Sequence, residues 1–167
     1  MSKKPWLGWP ALLALCGCGA LLCAQAVPTQ KLNDLYQSAV ADYNAGHYAQ
    51  AAHQLETILP YAAGSFEVHE LLGLVYASMS ENAKALAQLQ LAVQLKPDSA
   101  AGRINLGTML LHAGKADLAA QQFRKALQLE PANYDANHNL GELYANSGKV
   151  AEAQALLLSA YRANPDA

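Results

Sequence analysis

Beyond Cys23 this chain of 167 residues has no cysteine: Cys16, Cys18 and Cys23 are its only three. From residue 24 onward there is therefore no disulfide framework and no cysteine-ligated metal. Charge is also scarce, at 14% of residues and a formal net of −2, with no basic stripe of the kind that nucleic acid or an anionic surface requires. Five histidines are present (His47, His53, His69, His112 and His138), but none stands in the H-x-x-x-H or H-E-x-x-H spacing that places two rings on one metal. A glycine-rich phosphate loop is missing, and no Ser/His/Asp set has a meaningful spacing. The sequence thus offers no catalytic residue, no metal ligands and no cofactor site, and it reads as a non-enzyme.

What is present falls into two parts. Lys3 and Lys4 open the chain, Trp6 to Cys23 carries no charged residue, and Ala24-Gln25-Ala26 follows. A short positive start, an apolar core and a small-x-small site describe a secretory signal peptide over residues 1–26, with export to a periplasm or the cell exterior. Two alternatives use the same residues. About 18 apolar residues could remain as a membrane anchor, and Leu15-Cys16-Gly17-Cys18 resembles a lipobox, which would lipidate Cys18 and make an outer-membrane lipoprotein. Cleavage after Ala26 would remove two basic residues and no acidic one, leaving nine against 13 and a net charge of −4. Residues 27–31, with Pro28, read as a linker.

Residues 32–167 repeat themselves. Gly73, Gly107 and Gly141 are evenly spaced, and Pro97, Pro131 and Pro165 recur at the same interval. Around each glycine recur a preceding leucine (Leu72, Leu106, Leu140) and, on a second apolar-periodic run, a small residue (Ala85, Ala119, Ala153). Glycine turns at Gly46, Gly114 and Gly148 separate paired helical runs. A 34-residue helix–turn–helix unit with these residues at these offsets resembles the tetratricopeptide repeat. The resemblance implies an all-α, right-handed α-solenoid of four repeats: 32–65, 66–99, 100–133 and 134–167. The first is the most divergent, with Ala39 in the glycine's place and an early Pro60.

Each recurring residue type has a steric task. In this family Gly73, Gly107 and Gly141, with Ala85, Ala119 and Ala153, would sit where the two helices of a repeat cross, and a larger residue would overpack the contact. The prolines end each second helix, and Asp98 or Ser99, then Asn133, can cap the next one.

The resemblance also implies that the first helix of each repeat lines a concave groove holding a protein or peptide partner. At about 100° per residue, Tyr36, Gln37, Tyr43, Glu70, Leu74, Asn105, Thr108, His138, Asn139 and Glu142 face away from the intra-repeat packing side, together with Ile104 and Leu71. Asn105 and Asn139 resemble the asparagine ladders of peptide-binding arrays, whose amides both donate to and accept from a peptide backbone. Gln37 is a weaker match, and Leu71 breaks the series. No Lys or Arg stands at these groove offsets, which disfavours a carboxylate-clamp partner. On the last helix Ala155, Leu156, Leu157, Leu158 and Tyr161 offer more apolar surface than one packing face needs. That end is expected to self-associate, to meet a partner or to continue into a longer array. The alternative function is accordingly a lipid-anchored or self-associating structural subunit of an envelope assembly.

Overall fold

The computed structural model describes residues 29–165; the segment read as a signal peptide, Cys18 within it, and residues 166–167 lie outside the described residues. Among the described residues eight α-helices follow one another, with no strand: α1 Thr29–Asn44, α2 Tyr48–Ile58, α3 Phe66–Ser78, α4 Asn82–Leu95, α5 Ala100–His112, α6 Ala116–Leu129, α7 Tyr134–Asn146 and α8 Val150–Ala163. Thr29 to Lys31, expected as linker, belong to α1. No proline or glycine follows Pro28 to break the helix there, and Gln30 Nε2 donates to Asp34 Oδ1 one turn on (2.7 Å). A short 3₁₀ turn, Leu59–Tyr61, closes α2 around Pro60.

Within each repeat the two helices pack antiparallel, and the crossing is as close as backbone allows. A Cβ built on Gly73 would lie 2.7 Å from Leu89 Cγ, one on Gly107 2.6 Å from Phe123 Cε1, and one on Gly141 2.8 Å from Leu157 Cγ. Leu89, Phe123 and Leu157 share one offset in successive repeats, so one large side chain per repeat fills the space that one missing side chain leaves. Ala85, Ala119 and Ala153 are buried beside them on the second helix. Phe123, Leu55 and Leu89 have no exposed surface, and burying a side chain of this size contributes roughly 1.5–3 kcal/mol.

Two kinds of helix start alternate. Three of the first helices, α3, α5 and α7, are capped by a side chain: Ser65 Oγ accepts from Val68 N (3.3 Å), Ser99 Oγ from Gly102 N (3.0 Å) and Asn133 Oδ1 from Ala136 N (3.1 Å). Ser99, not Asp98, therefore caps α5. The second helices have no side-chain cap and are entered through a left-handed residue, at Gly46 (φ 79°), Ser80 (φ 61°), Gly114 (φ 70°) and Gly148 (φ 77°). The turn therefore exists in the second repeat without a glycine. Nothing lies within 4 Å of a Cβ at Gly46, Gly114 or Gly148, so backbone conformation rather than space selects glycine there.

Neighbouring repeats are joined by a series of side-chain hooks at the fourth position of the first helix. His69 Nε2 donates to the Ala63 carbonyl (3.0 Å), Arg103 Nε to that of Pro97 (2.8 Å) and Asn137 Nδ2 to that of Pro131 (3.0 Å). The same residues reach back to the second helix where they can: His69 Nδ1 lies 2.6 Å from Gln88 Oε1, and Arg103 Nη1 donates to Gln122 Oε1 (3.1 Å). Leu156 replaces the glutamine in the fourth repeat, and Asn137 bonds backbone alone.

Gly107→Leu should lower stability by roughly 1–3 kcal/mol, because it drives a side chain into the Phe123 ring. Lys125→Ala, exposed on α6 with no side-chain partner among the described residues, should stay within about ±0.5 kcal/mol. Thermal melts of the two variants beside wild type check this, and equal melting temperatures would remove Gly107 from the crossing.

Candidate functional site: the concave face of the first helices

Successive first helices touch, α1 with α3, α3 with α5 and α5 with α7, and no pair of second helices packs to that extent among the described residues. The shorter spacing puts α1, α3, α5 and α7 on the inside of the curve. Their direct packing also corrects two expectations. Leu71 and Ile104, assigned to the open face, are both only 8% exposed. They lie on the flanks where one first helix covers the next, and they form the floor rather than the rim.

Above that floor stand the other residues expected there. Leu74 and Thr108 are half-buried, and Thr108 Oγ1 donates to the Ile104 carbonyl within its own helix (3.0 Å). Gln37 is exposed on α1. Tyr36 is half-buried over Leu32, Ile58 and Val68. Its hydroxyl is held above the usual tyrosine range, first by burial and then by the negative charges of Glu67 and Glu70. Tyr43 does not stand free in the groove: its ring tilts against Tyr48 of α2, centroids 5.8 Å apart at 54°.

The two asparagines have different surroundings. Asn105 Nδ2 donates to Glu70 Oε1 across the α3–α5 contact (3.1 Å), so one of its donors is already used inside the protein. Asn139 is half-buried on α7 with no side-chain partner among the described residues. Sequence offset alone treats the two as equivalent, because it cannot show that Glu70 stands one helix away from Asn105. His138 stacks on Tyr134 (5.5 Å, 12°), and its Nε2 lies 3.4 Å from Glu142 Oε1. The asparagine pair is therefore not a uniform ladder: Asn105 braces the wall, and Asn139 keeps its donors and acceptor.

Charge on this face is acidic. Glu67, Glu70, Asp135 and Glu142 occupy the open offsets, and Lys96 is close enough to lower the Glu70 pKa slightly. Burial is the main influence on Glu70 and holds its carboxyl above the usual glutamate range; the Asn105 bond pulls the other way and Glu67 adds to the rise. No group of three or more His, Cys, Asp or Glu suited to a metal ion occurs among the described residues. No helix among them is long and apolar enough to cross a membrane.

Tetratricopeptide repeat models match residues 36–100 and 72–134, and a second such model matches 110–167. The chain belongs to the tetratricopeptide repeat family. Its fold is shared by solved structures of low sequence identity. The crystal structure of MamA is 21% identical with a TM-score of 0.76, over 83% of this chain and 81% of that one. YrrB, described as a TPR protein with an unusual peptide-binding site, is 25% identical with a TM-score of 0.72, over 83% and 72%. A thermophilic TPR protein of Thermus thermophilus is 22% identical with a TM-score of 0.70, over 83% and 77%. No curated protein matches the chain. Tetratricopeptide arrays present extended concave surfaces for partner contacts, and this chain is a protein-interaction scaffold of that type.

Glu70 provides a pH test of the groove wall. A carboxyl whose pKa is raised on folding binds its proton more tightly in the native state, so stability rises as pH falls through that raised pKa and is lower once the group ionises. Glu70→Gln keeps an acceptor for Asn105 and removes the buried charge. It should melt higher than wild type at pH 7, with the gap narrowing as pH falls through the raised Glu70 pKa and levelling off once pH is below the free glutamate range of about 4. Thermal melts from pH 7 to pH 3 follow the gap, and a constant one would show that burial of charge is not what Glu70 contributes.

Proposed function

We propose that this scaffold is non-catalytic and holds an extended segment of a protein partner along the concave face of α1, α3, α5 and α7, outside the cytoplasm. The observation that carries the reading is the face itself, a floor of Leu71 and Ile104 rimmed by Glu67, Glu70, Asp135 and Glu142, with Asn139 retaining free hydrogen-bonding capacity. A strand advances about 3.3 Å per residue and neighbouring helices lie about 8–10 Å apart, so one partner residue in roughly three meets each first helix. The acidic rim favours Lys or Arg in the partner, and the half-buried Tyr36 favours an apolar or aromatic side chain near α1. The peptide-binding description of YrrB is consistent with such a use.

Export is supported by Lys3-Lys4, the uncharged run to Cys23 and Ala24-Gln25-Ala26. A second reading, self-association through α8 in an envelope assembly, is favoured by Val150, Leu158 and Tyr161, which are 69%, 46% and 62% exposed. Leu156 does not belong to that surface, since it is half-buried and packs against the core.

Asn139→Ala is the cleaner probe of the groove, because Asn105→Ala also leaves Glu70 without its donor. With the partner captured by crosslinking in cells, Asn139→Ala should weaken its binding by about 0.5–1.5 kcal/mol, one net hydrogen bond, with the melting temperature unchanged. Glu142→Lys should slow association and reduce its salt sensitivity. Unchanged affinity in both variants would move the contact off the concave face.

Intact mass and sedimentation of the chain purified from its own cells test the rest. Cleavage after Ala26 with a monomer of that mass supports the exported soluble scaffold. An acylated Cys18, or a dimer that Leu158→Glu with Tyr161→Glu dissolves, would favour the assembly subunit.

A further inference from the structure

The outer side of the array carries a second site that the concave reading does not use. Between α6 and α7 lies a cleft of about 440 Å³ lined by Asp117, Gln121, Arg124, Tyr144, Ser147 and Lys149. Ala116 and Ala120 leave the space open. Arg124 Nη1 donates to the Tyr144 hydroxyl (3.2 Å), and Lys149 Nζ lies 4.8 Å above the Tyr144 ring centroid. Among the described residues neither cation forms an ion pair, with Asp117 or any other carboxylate. Tyr144 accepts from Arg124, so its own O–H has no acceptor among the described residues. Donors that bond no acceptor therefore converge here: the remaining guanidinium N–H groups, the phenol O–H and the ammonium, with Asp117 in the same lining but bonded to none of them.

The same position two repeats earlier shows what such a tyrosine takes when the chain supplies it. Tyr76, at the offset of Tyr144, donates to Glu56 Oε1 (2.7 Å) with Lys84 Nζ 5.0 Å above its ring. Its hydroxyl is held above the usual tyrosine range, by burial first and by Glu56 second. Arg124 stands at the offset of Glu56, and Lys149 at that of Glu81, each two repeats on. The first junction carries its own carboxylate on the tyrosine; the third carries two cations around the tyrosine instead.

We propose that the α6–α7 cleft binds a carboxylate side chain of a peptide, which bridges Arg124, Lys149 and the Tyr144 hydroxyl. A second cleft of about 500 Å³ adjoins it across the Arg124–Tyr144 pair, walled by Leu127, Leu140, Ala155 and Leu156, with Gln128 and Glu152 as its polar lining; Glu152 forms no ion pair with Arg124 among the described residues. The ligand is thus an acidic residue with an apolar residue beside it, opposite in charge preference to the acidic concave rim. Paired cations and a phenol donor suit a carboxylate through charge-assisted hydrogen bonds, and the apolar neighbour distinguishes a peptide from a free anion.

The test uses the purified full chain and two fluorescein-labelled octapeptides in a Gly-Ser background. One has Glu two residues before Leu, and its twin has Gln in place of Glu. Fluorescence anisotropy should show the Glu peptide binding about tenfold or more tighter, the worth of one charge-assisted bond. Arg124→Gln and Lys149→Gln should each reduce that preference several-fold, and Lys125→Gln, exposed on α6 outside both clefts, should leave it intact. Arg124→Glu combined with Lys149→Glu should reverse the preference toward a third peptide carrying Lys. Circular dichroism melts confirm that each variant is folded, and Arg124→Lys, which keeps the charge, stands in for any that is not. Equal affinity for Glu and Gln peptides, no binding of either, or a preference surviving Arg124→Gln would overturn the assignment. So would inorganic phosphate displacing the Glu peptide at equal concentration, since the apolar cleft would then contribute nothing.

Discussion

The approach of backbone to side chain at Gly73, Gly107 and Gly141 is the contact on which the array depends. Leu89, Phe123 and Leu157 occupy the volume that a Cβ would need, at 2.6–2.8 Å from where it would stand. Because interiors are packed like crystals, that volume cannot be shared. The crossing therefore fixes how closely each first helix approaches its second. Their separation in turn sets where the fourth-position residue meets the preceding loop. His69, Arg103 and Asn137 are chemically unlike, yet all three reach the carbonyl at the end of the repeat before. Only the reach and a donor are required there, so residue type drifts while geometry is held.

The concave face follows from this stacking. Once the first helices touch, their flanks are covered, Leu71 and Ile104 become floor, and Glu70 and Asn105 meet across the seam. The polar residues that remain available are those on the crest of each helix. Burial of Glu70 at that seam is electrostatically unfavourable, and the Asn105 amide offsets part of it. On the outer side the second helices diverge, which opens the clefts around Arg124 and Tyr144. One curvature therefore produces a closed acidic wall inside and open junctions outside.

Much of this fold was legible in the sequence because its rules are local and periodic. Glycine, proline and cap residues recur once per repeat, and each stands for a steric or hydrogen-bonding need that acts within one repeat. Ser99 and Asn133 cap as their chemistry suggests. The missing turn glycine of the second repeat was not legible, since Ser80 takes a positive φ that serine seldom adopts and the flanking helices impose. The hooks were hidden for another reason: His69, Arg103 and Asn137 share no side-chain class, and only their partner's position repeats. The candidate groove rests on helix angle alone. Angle gives the direction of a side chain from its own axis but not the neighbour it meets, so by angle Leu71, Ile104 and Asn105 all face open space.

Among the described residues the helices pack against their immediate successors or the ones after, and no contact of comparable size spans a greater distance along the chain. Closing such contacts requires only short loops, whose entropic cost is small and grows slowly with length. Nucleation can then begin at any well-packed junction and spread in both directions. Phe123, wholly enclosed and seated on Gly107, gives the third repeat the largest fully buried side chain among the described residues. The strained Ser80 turn sits in the repeat before it. A chain built this way unzips from its ends rather than melting as a block, so a partner gripping two adjacent repeats would hold the register of the whole.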